Sequence, residues 1–393
     1  MNKPLNILIC PLEWGLGHAA RMVPVARKLQ QMDHNVIIGS GEEQLSFFRE
    51  ELPNLKYIDF PGFKPRYSRF FPQYLVLLFK IPVLLYHIAA EHQRLKRIIK
   101  DNNIDIVISD NRFGLWSRQV TTVYITHQLL IPFPEKFRFL EAYGRMLHNK
   151  IIKKFSFCFV PDLPGDINLS GRLSHGFRIQ ENVRYIGILS RFENTNDSPS
   201  GNPLNTSHNT VLLSGPEPQR EILKQKLTAI LKNKEPKTVI FEGKPGIEGE
   251  IPPVGNITFI RHLPPDRMKE IIKSSDLIIS RSGYTTIMEL VSLKCTALII
   301  PTPGQTEQEY LAEYLTGKGW FSTISQNELT DNIQLSNIGL PLPAGIVSQS
   351  ESLLRNALEE LLEQYHKESQ SKKSGEKSHP HLRRSVQIKS KSR

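Results

Sequence analysis

Residues 276–290 read DLIISRSGYTTIMEL. The stretch begins as a short apolar run, turns at Arg281-Ser282-Gly283 and continues with helical spacing from Tyr284 or Thr285. A strand that passes through a glycine turn into a helix is half of a βαβ unit. Gly283, Thr285 and Thr286 bring backbone N–H groups and hydroxyls to the helix start, where a phosphate is held well. Glu289 lies one turn in, where a carboxylate accepts hydrogen bonds from ribose hydroxyls. One strand later, PTPGQTEQEYLAEYL (301–315) sets Gln305, Glu307, Gln308 and Glu309 on a loop and helix start. Acids and amides there suit sugar hydroxyls, which need paired donors and acceptors. Taken singly, Glu289 and Glu309 are ordinary solvated helix residues.

The same alternation runs outward in both directions. TVLLSG (210–215), KTVIFEG (237–243), NITFIRHL (256–263) and TALIIPTPG (296–304) read as further strands with helices between them. In the first half NILIC (6–10), NVIIGS (35–40), LKYIDF (55–60), IDIVISD (104–110), VTTVYITH (120–127) and FSFCFVPD (155–162) do the same. These runs are continuously apolar rather than alternating, as in parallel strands covered on both faces. The fold class expected is α/β, two Rossmann-like doubly wound domains facing a cleft. The expected bounds are 1–192 for the first domain and 193–210, rich in Asn, Ser, Thr and Pro, for a linker. The second domain takes 211–365 with a final helix near Ser350–Tyr365, and 366–393 is a disordered basic tail.

A chain of 393 residues suits two domains. Cys10, Cys158 and Cys295 are far apart, lack metal-ligand spacing and read as buried free thiols. No signal pattern opens the chain, which points to the cytoplasm. The net charge of +11 is concentrated: residues 367–393 carry nine Lys/Arg against two Glu, and residues 61–100 carry eight against Glu91 alone. No nucleic-acid motif accompanies it, so no nucleic-acid partner is expected. Within 61–100, QYLVLLFKIPVLLYHIAA is broken by Lys80 and Pro82 and is too short to span a bilayer. Its choices are a segment lying on an anionic leaflet or a buried helix with a basic end.

Ligands of open α/β sheets sit at the carboxyl ends of the strands. In the first domain that rule selects CPLEWGLGHAAR (10–21). Gly15 and Gly17 let the backbone turn and approach a ligand, and His18 falls in the first helical turn. The charged form of a histidine is disfavoured there, so His18 is fit to accept a proton near neutral pH; its other role is to cap the turn. Gly15, Gly17 and Ala20 also spell G-x-G-x-x-A, a weak dinucleotide signal that the second domain argues against.

Taken together, these stretches resemble the two-domain GT-B glycosyltransferases, and within them the family of N-acetylglucosaminyltransferases that complete lipid II in peptidoglycan synthesis. SRSGYTTIMELVSLKCTALIIP is similar to that family's Arg-Ser-Gly…Glu segment, EQEYLAEYL to its Gln-Gln-Tyr stretch, GLGHAAR to its N-terminal glycine loop and SGPEPQR (214–220) to its first C-domain loop. The likeness is specific near residues 10–24 and 276–314. It implies transfer of a sugar, N-acetylglucosamine or another hexose, from a UDP-sugar to a hydroxyl acceptor. Glu289 would bind ribose. Arg281, Ser282, Gly283, Thr285 and Thr286, with Ser214 and Arg220, would surround the diphosphate. Gln305, Gln308 and Glu309 would hold the sugar, His262 and Leu263 would lie by the base, and Gly15 and Gly17 would line the site. His18 would face the acceptor, with Asp110 at the end of IDIVISD as second base candidate.

The chain departs from the family in having fewer glycines in the first loop, two prolines in GPEPQ and Glu309 in place of an amide. No Asp-x-Asp motif is present, so a metal-independent, inverting reaction is expected, with no cofactor. The acceptor would be lipid-linked and met at the cytoplasmic face of the inner membrane. Two alternatives stay open: a nucleotide-sugar epimerase on the same fold, and a non-catalytic nucleotide-sugar-binding subunit of a membrane glycosyltransferase.

Overall fold

A computed structural model of the chain describes residues 3–64, 80–192, 207–215, 217–246 and, apart from 332, 334, 338 and 344, 251–373. The first sheet contains β1 (Asn6–Cys10), β2 (Asn35–Ser40), β3 (Lys56–Asp59), β4 (Ile106–Asp110), β5 (Thr121–Ile125), β6 (Phe157–Val160) and β7 (Val183–Tyr185). The strand order is β3-β2-β1-β4-β5-β6-β7, and the pairings are parallel. The second contains β8 (His208–Leu212), β9 (Lys237–Phe241), β10 (Ile257–Ile260), β11 (Leu277–Ser280), β12 (Leu298–Ile299) and β13 (Ser322–Thr323). Its order is β10-β9-β8-β11-β12-β13, again parallel.

Helices cover both faces of both sheets. In the first domain they are α1 (Leu16–Gln31), α2 (Glu42–Glu51), α3 (Ile81–Asp101) and α4 (Glu141–Ile152); in the second, α5 (Gln219–Leu231), α6 (Pro265–Lys273), α7 (Tyr284–Ser292) and α8 (Thr306–Gly317). This layering explains the unbroken apolar strands. Along β1, Ile7 and Ile9 enter one core while Leu8 and Cys10 enter the core on the opposite face. Along the second domain's first strand, Val211 and Leu212 part in the same way. The largest core is continuous between the domains, taking in Val23 of α1, Ile287 of α7 and Leu311 of α8.

The structure corrects several boundaries. β8 begins at His208, whose buried ring bonds the Ile271 carbonyl at 3.1 Å, so the second domain starts inside the expected linker; residues 193–206 of that linker lie outside the described residues. A closing helix, α9 (Ser348–Lys373), outruns the expected Tyr365. Its extension is supported by Gln364–Glu368 and Lys367–Glu363 contacts four residues apart. Of the expected disordered tail, 374–393 lies outside the described residues.

α9 packs back on the first domain rather than the second. Arg184 of β7 meets Glu360 at 2.7 Å, and the Tyr365 hydroxyl donates to Asp105 at 2.7 Å. Gly187, at φ +77°, lets this happen, because a Cβ there would lie 2.5 Å from Ser350 Cα. Cys10 and Cys158 are buried free thiols as expected, and burial pushes Cys10 up to about 12.

Candidate active site

α1 starts directly after the first glycine loop. Gly15 caps it at φ 148° with no side-chain partner, so no capping side chain occupies the N–H groups of its first turn. His18 sits in that turn. Its Nδ1 is 2.8 Å from Asp110 Oδ2, at the carboxyl end of β4. The two base candidates, far apart in sequence, therefore form one pair.

Arg21, one turn along α1, lies against the same carboxylate. Its Nε is 3.1 Å from each Asp110 oxygen and its Nη2 bonds Oδ1. Asp110 is fully buried, which pushes its pKa up, but Arg21 and His18 outweigh burial and hold it below the ordinary range. Burial, and then the Arg21 charge, lower the pKa of His18. Neutral His18 beside ionised Asp110 is the state set by these groups at pH 7. Asn111 follows at φ +55°, and Arg112 turns away to stack on Phe60 at 4.4 Å.

The second domain meets this cluster through α7 and α8. Thr285 Oγ1 donates to the Gly17 carbonyl at 3.1 Å. A Cβ on Gly17 would lie 3.2 Å from that hydroxyl, so glycine permits the approach. Gly283 caps α7 without a side-chain partner, leaving the helix N–H groups unshielded. Ser214 Oγ and Thr286 Oγ1 lie 3.8 and 4.0 Å from where a Gly283 Cβ would be, so both hydroxyls gather at this turn.

The other expected ligands divide into those that face the turn and those used elsewhere. Arg281 is fully buried and donates to the carbonyls of Ile300, Pro301 and Gln219 and to Gln326 Oε1, so its guanidinium ties the sheet to its loops. Ser282 Oγ is turned inward onto the Gln308 carbonyl at 2.8 Å. Arg220 bonds Glu217 and the Gly243 carbonyl. Gln308 accepts from Thr302 N–H and donates to Gln305, so these amides organise the loop. Glu309 accepts from Gly304 N–H at 2.8 Å. His262 packs edge-on against Phe47 and lies 3.3 Å from Glu50, on α2 of the other domain, with Leu263 beside the core. Burial first, and Arg191 second, bring His262 down to about 4.

Three side chains at this site, Arg191, His127 and Arg21, are not among the residues expected from sequence. Arg191 Nε holds Glu289 Oε1 at 2.9 Å while its Nη1 holds Glu51 at 3.1 Å, joining α7 to α2. Burial raises the pKa of Glu289, and the neighbouring Glu51 adds to this against the lowering by Arg191. His127, just past β5, stacks on Tyr284 at 4.1 Å and touches Glu307 at 2.7 Å. The sequence held signals for two of them. Arg21 is three residues from His18 on one helix face, and His127 stands at a strand's carboxyl end.

Residues 256–382 match the glycosyltransferase family 28 C-terminal domain. The UDP-N-acetylglucosamine–N-acetylmuramyl-(pentapeptide) pyrophosphoryl-undecaprenol N-acetylglucosamine transferase of Chlamydia felis is 33% identical over 106 residues, which are 26% of this chain and 29% of that one. The chain thus matches less than a third of that relative's length. An uncharacterized glycosyltransferase of Methanosarcina acetivorans is 23% identical over 343 residues, 82% of this chain and 86% of that one. The glycosyltransferase SnogD from Streptomyces nogalater superposes with a TM-score of 0.56 at 15% identity, covering 94% of this chain and 99% of its own. The chain therefore has the GT-B fold of two Rossmann-like domains, its residues 256–382 match the family 28 C-terminal domain, and part of it is similar to the N-acetylglucosamine transferases.

Proposed function

We propose that the chain transfers a sugar, N-acetylglucosamine or another hexose, from a UDP-sugar to the hydroxyl of a lipid-linked acceptor, with inversion and without a metal. The observation that carries this reading is the His18–Asp110 pair at 2.8 Å, set against the open start of α7. Among the described residues nothing bonds His18 Nε2, which leaves that nitrogen to take the acceptor's proton. Asp110 accepts the Nδ1–H and stabilises the imidazolium that forms. The acceptor oxygen bonds the anomeric carbon as the bond to the diphosphate breaks on the opposite face. The departing charge falls on the N–H groups of α7 and the hydroxyls of Ser214 and Thr286, which are fixed before the reaction. The experiment is release of nucleoside diphosphate from UDP-N-acetylglucosamine and other UDP-hexoses, with and without a polyprenyl-diphosphate-sugar acceptor, in EDTA. Release that needs the acceptor and survives EDTA is expected. Conversion of the donor sugar without acceptor would favour the epimerase.

In this reading Glu289 binds the ribose. Arg191 occupies Oε1, and among the described residues Oε2 accepts no hydrogen bond, leaving it for the ribose hydroxyls. Glu289→Ala should weaken UDP binding by about 1.5–3 kcal/mol, the worth of a charged hydrogen bond, in calorimetry. Unchanged affinity would remove it from this role.

The lipid acceptor has a surface to match. The first turns of α3 expose Ile81, Val83, Leu85 and Tyr86, the last at 71%. Phe139, Tyr143, Met146 and Leu147 are exposed on α4 and the 3-10 helix before it, Glu135–Leu140. Each of α3 and α4 leads into the start of a strand, so both patches lie at the carboxyl edge of the sheet, with the cleft. Lys80, Lys136, Arg138 and Arg145 stand among them. Apolar side chains ringed by cations suit an anionic leaflet. The expected aromatic run at Phe70, Phe71, Tyr74 and Phe79 lies outside the described residues. Among the described residues no helix is long and apolar enough to cross a membrane. Leu85→Ser with Phe139→Ser should lower partition onto anionic phospholipid vesicles in a sedimentation assay; equal partition would assign this surface to another partner.

A further inference from the structure

His18 Nδ1 has two neighbours of opposite kind. Asp110 Oδ2, at 2.8 Å, only accepts; Arg21 Nη2, at 2.9 Å, only donates. One nitrogen serves one of them at a time. With the proton on Nδ1, His18 donates to Asp110 and its Nε2 is a base. With the proton on Nε2, Nδ1 accepts from Arg21 and no base faces the acceptor. The lie of the Arg21 guanidinium therefore decides whether His18 works.

That guanidinium is held by His127 of its own domain, and the other domain fixes His127 in turn. Arg21 Nη1 is 3.2 Å from His127 Nδ1. Arginine has no acceptor, so His127 Nδ1 must be the lone-pair nitrogen and the His127 proton sits on Nε2. It points at Glu307 Oε1, 2.7 Å away in the first turn of α8. The His127 ring is clamped flat against Tyr284 of α7, with 6° between the planes, and Tyr284 is itself tied to the Pro161 carbonyl. His127 is 3% exposed, which keeps water off its ring nitrogens. A hydrogen-bonded chain runs from the helix whose start carries the sugar-site residues Gln305, Gln308 and Glu309 to the imidazole on α1.

We propose that Glu307 and His127 are positioning residues that seat Arg21 on Asp110 when the domains are joined, and so hold His18 in its Nδ1–H, base-competent tautomer. This rests on the reading of His18 as the base. Glu307 lies within the segment that meets the donor sugar, but its carboxylate is spent across the domain interface, and it acts on turnover rather than on donor binding. Domain opening breaks the chain at the Glu307–His127 bond, releases Arg21 to take His18 Nδ1, and silences the base until the donor domain returns.

The test reads the tautomer directly. In histidine-15N-labelled, unliganded protein, the His18 signals are assigned by their loss in His18→Gln. The wild type is expected to show Nδ1–H. Glu307→Ala should move the population toward Nε2–H and lower kcat about 10–100-fold, the cost of misplacing a reacting group. Its donor KM should stay within about threefold. Glu307→Gln keeps an acceptor for the His127 N–H and should retain both tautomer and turnover. His127→Leu breaks the chain one link nearer and should repeat the Glu307→Ala result, which guards against a folding defect in either variant. An unmoved tautomer in Glu307→Ala and His127→Leu, or a risen donor KM with kcat held, would overturn the proposal. A wild type that transfers no sugar would sink the functional reading instead, while the nitrogen shifts still decide the coupling.

Discussion

His18→Ala should lower kcat by about 10²–10⁴-fold, the usual contribution of a positioned general base, while UDP affinity measured by calorimetry stays at the wild-type value. The split follows from where the groups stand. The proposed donor contacts, the α7 start and Glu289, belong to the second domain, and the His18 imidazole is bonded within the first, to Asp110 and Arg21. The wild-type rate should also carry a matching pH signature. Transfer needs neutral His18, and burial followed by the Arg21 charge lowers its pKa from 6.5. The rate should therefore hold as pH falls past 6.5 and drop only at more acid values. His18→Ala should lose that acid limb together with the rate. Full turnover in the variant would make His18 a packing residue of the helix turn, and a limb above 6.5 would mean that Asp110, not Arg21, dominates its field.

Which parts of this site could be read from sequence depends on how local their causes are. The strand–glycine–helix junctions at 10–18 and 280–286 are local: apolar runs, flexible glycines and helix starts adjoin in the chain. The structure puts Gly15 and Gly283 at the caps of α1 and α7, as that pattern implies. Asp110 followed from the rule that ligands gather at strand ends, although its bond to His18 is a consequence of β1 pairing with β4 and not of any spacing.

Pairings of residues far apart left no such trace. Nothing around Arg191 says that it will meet Glu289 from one side and Glu51 from the other. Glu307 reads as one more acid among sugar-binding amides until the domains close on His127. Arg281 shows the opposite failure. Its place beside Ser282 and Gly283 suggests phosphate, yet alternate residues at a strand's end face opposite ways, and Arg281 faces the interior. α4 leaves a weak signal in the sequence, because Gly144 falls inside it and Tyr143, Met146 and Leu147 lie on its exposed side, which blurs the helical period.

Arg191→Met should destabilise the protein by about 3–5 kcal/mol at neutral pH, the cost of leaving a buried charge without its partner. Arg191 bridges two carboxylates in the interdomain core, and Arg27 at 3.3 Å from Glu51 can compensate only that one; Glu289 is left alone. The pH dependence identifies the cause. Burial, the largest influence, raises both Glu51 and Glu289 above their ordinary 4.5 even with Arg191 present. A carboxyl whose folded pKa is raised keeps its proton in the native state over a window where the unfolded chain has lost it. Its contribution to stability is then fully present below 4.5 and falls as pH rises through the folded pKa. Removing the guanidinium pushes both values higher, which widens the window. The deficit of the variant should therefore be small at about pH 5, where the carboxyls can be neutral, and large at about pH 7.5. Urea unfolding at the two pH values measures it, and Glu289→Gln in the Arg191→Met background should restore part of the loss. An equal deficit at both would trace the loss to the packing of the guanidinium on Phe47 and Phe192, at 5.6 and 5.0 Å, instead of to charge.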